Sequence, residues 1–243
     1  MAGRIYIGTA GWSIPRQSAE HFPSEGTHLQ QYARVLPCAE INSSFYRPHQ
    51  KSTYEKWAAL TGDGFRFAVK VPKLITHEQR LRRSRPAFEQ FLQETGGLGH
   101  RRGPLLVQLP PSFAFEPRPV SAFFDMVRQR HDGPVVCEPR HATWFTPKAD
   151  AILTRYAIGR VAADPPTTNE SNVPGGAGGV AYFRLHGTPR MYWSRYEKDY
   201  LLVLAKQIRQ LAKSVDVWCI FDNTASGAAL QNAWELSGLV DSR

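Results

Sequence analysis

Short apolar runs rich in β-branched and aromatic residues recur along the chain and alternate with helical stretches. Eight such runs occur, at residues 4–9, 39–45, 65–71, 104–109, 134–138, 159–164, 180–186 and 216–222. Their starts lie 21 to 39 residues apart, and a βαβ unit needs roughly 30. Eight such units in 243 residues predict an α/β fold, a (β/α)8 barrel of the TIM type.

Helical patterns fill most of the intervals between these runs. They cover residues 28–35, 52–60, 86–95, 120–130, 147–156, 196–213 and 225–239. Residues 165–179 carry Pro, Gly, Asn and Thr without a helical period, which predicts one degenerate connection. A doubly wound sheet is less consistent with the sequence, because neither GxGxxG nor GxxxxGK[ST] is present.

The composition is that of a globular protein, with 42% apolar and 21% charged residues. No run of 18 apolar residues predicts a membrane span, and the first residues lack the apolar region of a secretory signal. We therefore expect one cytoplasmic domain over residues 1–243, with no membrane partner. The oligomeric state is not predicted. Cys38, Cys137 and Cys219 lie in or beside apolar runs and are expected to be buried thiols.

Polar residues stand at the ends of seven of the eight predicted strands, where a barrel places its active site. Positions two apart share a strand face. This predicts that several side chains converge at the barrel mouth. They are Glu40, Asn42, Lys70, Gln108, Glu138, Arg140, Asp164, Arg184, His186 and Asp222, with Trp12 closing the first strand.

These residue types suit acid/base chemistry on a small anionic substrate that carries phosphate or carboxylate. Arg140 and Arg184 are predicted to hold the anion, because a guanidinium binds such groups bidentately. Glu138, Glu40 and His186 are candidate proton carriers. Lys70 is a candidate base or amine nucleophile if burial near the arginines lowers its pKa. The reaction class, whether hydrolase, lyase or isomerase, is not predicted.

Two other interpretations of the same residues remain open. The charges are nearly balanced, so they could form a buried ion-pair network in a non-catalytic barrel. Alternatively, His186, Glu40, Glu138 and Asp164 could form a divalent metal site. The nearby cations and the lack of HxH or HExxH spacing disfavour the metal site, and no motif requires a cofactor.

Nucleic acid is an alternative partner, because the net charge is +9 and arginine supplies most of the positive charge. One arginine cluster spans residues 80–85 and another residues 101–102. Aromatic residues predicted on loops offer surfaces for stacking bases or sugars. They are Trp12, Phe45, Tyr46, Trp144, Tyr192 and Trp193.

Seven segments, in this order and spacing, resemble the YecE-like family, also called domain of unknown function 72. They are IGTAGW at 7–12, AEINSSFY at 39–46, VKVP at 69–72 with ITH at 75–77, LVQLPPSF at 106–113, EPRH at 138–141, YFRLHG at 182–187 and FDNT at 221–224. The resemblance implies a TIM barrel and supplies no reaction.

His77, in the loop after the third strand beside Lys73 and Arg80, and His141, directly after Arg140, are further candidates. The resemblance carries both of them over together with Asn223, and His77 and Asn223 are expected to bind substrate. The chain departs from the family pattern at Pro139 and Asp222. Asp222 stands where an Asn is commoner, and its negative charge argues against a purely cationic pocket.

Overall fold

The computed structural model describes residues 2–177 and 179–241 and contains one sheet in which most strands run parallel. Its strands are β1 (Ile5–Ala10), β2 (Cys38–Ile41), β3 (Arg66–Lys70), β4 (Arg102–Gln108), β5 (Val135–Glu138), β6 (Gly159–Arg160), β7 (Ala162–Asp164), β8 (Gly175–Gly176), β9 (Val180–Leu185) and β10 (Asp216–Phe221). The strand order is β7-β9-β10-β1-β2-β3-β4-β5-β6-β8.

The sixth predicted run brings the two ends of this sheet together. Val161 interrupts it, so β6 pairs with β5 through Cys137 and Arg160, and β7 pairs with β9 through Ala163 and Arg184. Because β6 and β7 are consecutive in the chain, the eight predicted runs form a nearly closed barrel. The predicted (β/α)8 fold is confirmed.

Helices follow most of the barrel strands. They are α1 (His28–Ala33), α2 (Ser43–Tyr46), α3 (Lys51–Ala59), α4 (Arg85–Thr95), α5 (Pro117–Arg128), α6 (Pro147–Arg155), α7 (Lys198–Leu211) and α8 (Ala228–Asp241). Proline near the start of α4, α5 and α6 favours these helix beginnings, since its missing N–H has no intrahelical partner there. None of the described helices combines the length and apolarity needed to cross a bilayer.

Two connections differ from regular βα units. The strand predicted at residues 39–45 ends at Ile41, and the short helix α2 follows at once. Ser44 Oγ holds that turn by donating to the carbonyls of Ile41 and Lys70, at 3.1 and 2.7 Å. In the connection predicted to be degenerate, the described residues form a short 3-10 turn (Asn169–Asn172) and β8, which pairs antiparallel with β6.

The apolar core has two layers, because successive strand side chains point to opposite faces of the sheet. The outer layer packs between the sheet and the helices. Inside the barrel, Trp218 stacks with Tyr6 and Tyr182 at ring distances of 4.6 and 6.1 Å. Arg184 follows Tyr182 by two residues on the same face of β9, and His186 follows two residues later, directly after the strand ends. The polar site therefore rests on an apolar and aromatic plug.

Candidate active site

Arg184 lies at the centre of the barrel mouth and is fully buried. Its Nε and Nη2 donate to Glu40 Oε1 at 3.0 and 2.6 Å, Nη1 donates to Glu138 Oε2 at 3.0 Å, and Nη2 donates to Asp222 Oδ2 at 3.0 Å. Burial disfavours the charged guanidinium, but the three carboxylates outweigh burial and hold its pKa well above the ordinary value. Arg184 therefore ties β9 to the ends of β2, β5 and β10.

This environment differs from the expectation that Arg184 grips a substrate anion. With no exposed surface and three carboxylates around it, the guanidinium presents no edge to a ligand. Its contacts make it a structural cation that orders acidic side chains.

Glu40 is committed to the same contacts. Both carboxylate oxygens accept from Arg184, and Oε2 also accepts from the Tyr182 hydroxyl at 2.7 Å. The side chain is fully buried, so it does not reach the solvent side of the mouth. The arrangement does not support the predicted role of Glu40 as a proton carrier.

Glu138 accepts four hydrogen bonds. Oε1 accepts from Arg140 Nη1 at 2.8 Å and from His186 Nε2 at 2.9 Å, and Oε2 accepts from Arg184 and from Gln108 Nε2 at 3.0 Å. Burial alone would raise the pKa of Glu138, but Arg184, His186 and Arg140 hold it well below its usual range. Glu138 is thus a carboxylate that positions its neighbours, and Gln108 is one of the donors that hold it in place.

His186 is held between two carboxylates. Nε2 faces Glu138 Oε1 at 2.9 Å and Nδ1 faces Asp222 Oδ2 at 3.1 Å. Burial lowers the pKa of His186, but Glu138 and Asp222 together raise it above the ordinary value. An imidazolium can donate to both neighbours at once, so both ring N–H groups are engaged and His186 adds a second buried cation.

Asp222 keeps one oxygen for other partners. Oδ2 accepts from Arg184 and His186, whereas Oδ1 has no hydrogen bond to the described residues, and the side chain is 12% exposed. Burial would raise its pKa, but Arg184 and His186 lower it. Asp222 therefore presents an ionised oxygen at the mouth.

Lys70 ends β3 beside this network, with no ion pair to the described residues. Its ammonium lies 4.1 Å from the centre of the Phe45 ring. Burial and the charge of Arg184 lower its pKa to about 8, and the nearby carboxylates offset only part of that effect. The Lys70 amine is therefore nearly buried, and losing its proton near neutral pH requires little free energy.

His77 packs against the same ring as Lys70. The imidazole meets Phe45 edge to face at 5.0 Å, and Nδ1 lies 2.9 Å from the Thr76 hydroxyl. Burial, then the charges of Lys70 and Lys73, lower the pKa of His77. A neutral imidazole with an uncommitted Nε2 thus lies near the amine.

Arg140 and Tyr192 form the rim. Arg140 Nη1 is bound to Glu138, while among the described residues Nη2 faces only the Met191 sulfur at 3.8 Å, and a thioether is a weak acceptor. Tyr192 packs edge to face on His186 at 5.6 Å, with a left-handed backbone at φ 64°. The sequence indicates Tyr192 only as a stacking aromatic, because nothing in its position along the chain shows that this loop folds over His186.

The structure does not bring every predicted residue to the mouth. Trp12 packs against Trp57 and Phe67 in the outer layer, at ring distances of 5.2 and 6.0 Å. Asn223 Nδ2 donates to the Ser194 carbonyl and to Asn232 Oδ1, so it fastens the loop after β9 to α8. Asn42 Oδ1 is buried and has no hydrogen-bond partner among the residues that the structure describes.

The remaining polar candidates also have local roles. Asp164 Oδ1 accepts from the Tyr196 hydroxyl at 2.8 Å, a contact outside the hydrogen bonds around Arg184. His141 Nδ1 pairs with the Thr143 hydroxyl. Trp144 is fully buried and donates from its indole nitrogen to the Phe113 carbonyl, so it is a packing residue and offers no surface for stacking a base or sugar.

The proposed metal ligands do not assemble. Within residues 2–177 and 179–241, no group of three or more His, Cys, Asp or Glu side chains has a geometry that could hold a metal ion. The guanidinium of Arg184 already supplies the positive charge between Glu40 and Glu138.

The two arginine clusters differ in their surroundings. Arg101 donates to Asp63 Oδ1 and the Thr61 carbonyl, and Arg102 donates to the Leu92 carbonyl and Thr95 Oγ1. This cluster lies at the start of β4, away from the mouth, and is committed to protein acceptors. The cluster at residues 80–85 lies in the loop between β3 and α4.

Comparisons with known proteins agree with this fold. A family model described as "Protein of unknown function DUF72" matches residues 6–243. UPF0759 protein YunF of Bacillus subtilis (strain 168) is 25% identical, covering 98% of this chain and 95% of the relative. UPF0759 protein YecE of Escherichia coli (strain K12) is 33% identical over 49% of this chain and 42% of its own length.

Two solved structures of DUF72 family proteins share the architecture. The protein from Enterococcus faecalis V583 has a TM-score of 0.83 at 20% identity, covering 98% of this chain and 96% of that one. The protein from Thermotoga maritima MSB8 has a TM-score of 0.80 at 23% identity, covering 98% and 99%.

Replacing Arg184 should reveal how strongly the network depends on it. We expect Arg184→Met to lower the free energy of unfolding by about 3–5 kcal/mol, because buried carboxylates lose their main counter-charge. Urea unfolding at pH 7 measures this loss. Arg195→Met is the control: it breaks the partly exposed pair with Glu235 at 2.9 Å and should cost about 1 kcal/mol or less. Equal stability of Arg184→Met and wild type would contradict the assigned role.

The contribution of His186 should depend on pH. Its folded pKa is raised, so its stabilising effect is complete below the unfolded value of about 6.5 and declines as pH rises through the folded pKa. We expect His186→Gln to cost about 3 kcal/mol at pH 6 and less at pH 9, measured by urea unfolding. The control His100→Gln changes an exposed histidine. A cost for His186→Gln that grows from pH 6 to pH 9 would refute the imidazolium assignment.

Proposed function

The chain belongs to the DUF72 family, described as proteins of unknown function, and we propose that it is an enzyme. Its substrate is a small anion bearing phosphate or carboxylate, bound at the C-terminal face of the barrel. The reaction proceeds by acid/base chemistry at the groups that the buried network leaves free.

The observation that carries this proposal is the environment of Lys70. A buried network explains Glu40, Glu138, Arg184 and His186, because each is satisfied by the others. It does not explain a nearly buried amine that has no ion pair within the described part of the chain. A buried charge without a direct partner costs stability, so a functional role accounts for Lys70 better than a structural one.

The charge distribution supports an anionic substrate. Arg184 and His186 oppose Glu40, Glu138 and Asp222, which leaves that group one negative charge in excess. Arg140 and protonated Lys70 add two positive charges beside that group and reverse the sign. The Nη2 edge of Arg140 meets only the sulfur of Met191 within residues 2–177 and 179–241, and it is suited to bind a phosphate or carboxylate oxygen.

Proton transfer is assigned to the groups with uncommitted atoms. Lys70 has a pKa of about 8, so its neutral amine can accept a proton from a carbon or oxygen acid near neutral pH. The amine is also free to act as a nucleophile. Asp222 Oδ1 and the neutral imidazole of His77 are available for a second proton. Glu138 and His186 then act as positioning residues that hold Asp222 and Arg140 in place.

A ligand screen tests the proposal directly. We expect at least one compound among inorganic phosphate, sugar phosphates, nucleotides and small carboxylic acids to raise the melting temperature of the wild type. At 100 times the dissociation constant, a ligand adds about 2.7 kcal/mol of stability. Arg140→Gln should lose this shift, while Arg155→Gln, which changes an exposed arginine at the end of α6, should keep it. A shift from no compound, or one retained in Arg140→Gln, would contradict anion binding at the mouth.

Substitution of Lys70 separates a functional from a structural role. Lys70→Met keeps the length of the side chain and removes its charge, so we expect stability at pH 7 to rise by about 1 kcal/mol or more. The depressed pKa makes the wild-type penalty complete below pH 8, and it fades as pH rises toward the unfolded value of about 10.4. Urea unfolding at pH 7 and pH 10 measures the gain. A large loss of stability in Lys70→Met would show that the amine has a structural role.

A further inference from the structure

A second site lies outside the barrel mouth, at the N-terminal ends of α4, α5 and α6. It is a groove of about 870 Å³, which we call the basic groove, and its size is near the upper end for ligand pockets. Its lining includes Arg83, Arg85, Phe115, Arg118, Met126 and Lys148. None of these residues belongs to the network around Arg184.

The basic groove carries a large excess of positive charge. Its lining holds five cationic side chains, Arg82, Arg83, Arg85, Arg118 and Lys148, against the single acid Glu116. Glu116 is neutralised by Arg82, whose Nη2 lies 2.6 Å from Oε2. The other four cations are exposed and have no acidic partner in residues 2–177 and 179–241. An anionic ligand would supply the counter-charge that these described residues lack.

The loop before α4 is built so that its arginines face outward. Arg80, Leu81 and Arg83 adopt left-handed backbones, at φ 50°, 65° and 51°. Leu81 is buried, and its N–H donates to the Ile75 carbonyl. Arg80 lies 4.7 Å over the Phe113 ring and donates to the Ser112 carbonyl. These anchors leave Arg83 free on the groove side.

The floor between the cations is apolar. Phe115, Pro117, Pro119 and Met126 line it. The Phe115 ring is half-buried and is fixed edge to face against Trp144 at 5.1 Å. The basic groove therefore offers a preformed aromatic surface beside a row of cations.

This combination favours single-stranded nucleic acid over other polyanions. Unpaired bases stack on aromatic rings while the backbone phosphates contact arginine and lysine. A duplex keeps its bases stacked inside and would use only the cations, and an acidic peptide has no base to place on the Phe115 ring. Three of the four free cations are arginines, whose planar guanidinium binds phosphate bidentately.

We propose that the basic groove binds single-stranded nucleic acid, with phosphates on Arg83, Arg85, Arg118 and Lys148 and a base against Phe115. This site is independent of the reaction at the barrel mouth, because the two share no side chain. Its presence or absence therefore leaves the role of Lys70 unchanged.

Fluorescence anisotropy with labelled 12-nucleotide DNA and RNA strands, titrated from 50 to 200 mM salt, tests this proposal. Each phosphate neutralised on a single strand contributes about 0.7 to the slope of log K against log salt. We expect a slope of about −3 for the wild type. The variant R83Q/R85Q/R118Q should bind at least tenfold more weakly at 100 mM salt, with a slope of about −1.

The matched control removes the same charge from another surface. Arg34, Lys206 and Lys213 are exposed and lie outside the groove, so R34Q/K206Q/K213Q should bind within about twofold of the wild type. Phe115→Leu keeps an apolar contact with Trp144 and removes the stacking surface, and should weaken binding about tenfold with an unchanged salt slope.

Several results would overturn the proposal. These are no binding at 50 mM salt, equal losses in the groove and control variants, or an unchanged affinity in Phe115→Leu. Polyglutamate that binds as tightly as the strands would assign the groove to an acidic protein partner. ATP that binds as tightly as a 12-nucleotide strand would assign it to a mononucleotide. Tighter binding to duplex than to single strands would show that the bases are not used.

Discussion

A guanidinium buried among three carboxylates organises the upper half of this barrel. Arg184 comes from β9, and its acceptors Glu40, Glu138 and Asp222 stand at the ends of β2, β5 and β10. Removing such charges from water is costly, and the cost is offset only when every donor and acceptor is paired. The same contacts that satisfy Arg184 therefore fix the positions of four strand ends and of the side chains around them.

Structural and functional groups in the mouth differ in whether their hydrogen-bonding atoms are already paired within this network. Glu40 and Glu138 accept all the hydrogen bonds that their surroundings offer and are closed to solvent. Among the described residues, the atoms left uncommitted are the Lys70 amine, Asp222 Oδ1, His77 Nε2 and Nη2 of the rim residue Arg140. A charged residue at a strand end is thus not by itself a catalytic candidate, because neighbouring side chains can engage its charge and all its hydrogen-bonding atoms. The candidates are those whose atoms the network leaves free.

The sequence predicted the order of strands and helices, and it predicted that polar side chains gather at one end of the barrel. Alternation along a strand was enough to place Arg184 and His186 on one face, since side-chain direction follows directly from position. It was not enough for loop residues two or more positions past a strand end. Trp12 and Asn223 follow β1 and β10 closely, yet both turn outward, to the helical layer and to α8. Loop geometry, not strand register, directs such residues.

Two further features depended on contacts between distant segments. Tyr192 reaches His186 because the loop after β9 folds back over the mouth, and no pattern in residues 187–196 shows that return. The two arginine clusters look alike in sequence, but Arg101 and Arg102 bind acceptors in α4 and in the loop after α3. Arg83 and Arg85 have no such acceptor in the part of the chain that the structure describes. By itself the sequence determined the barrel and the set of charges near its mouth, because hydrophobic periodicity and strand alternation are local properties. Only the tertiary structure decided which charges neutralise one another and which stay free, because that depends on distances between residues far apart in the chain.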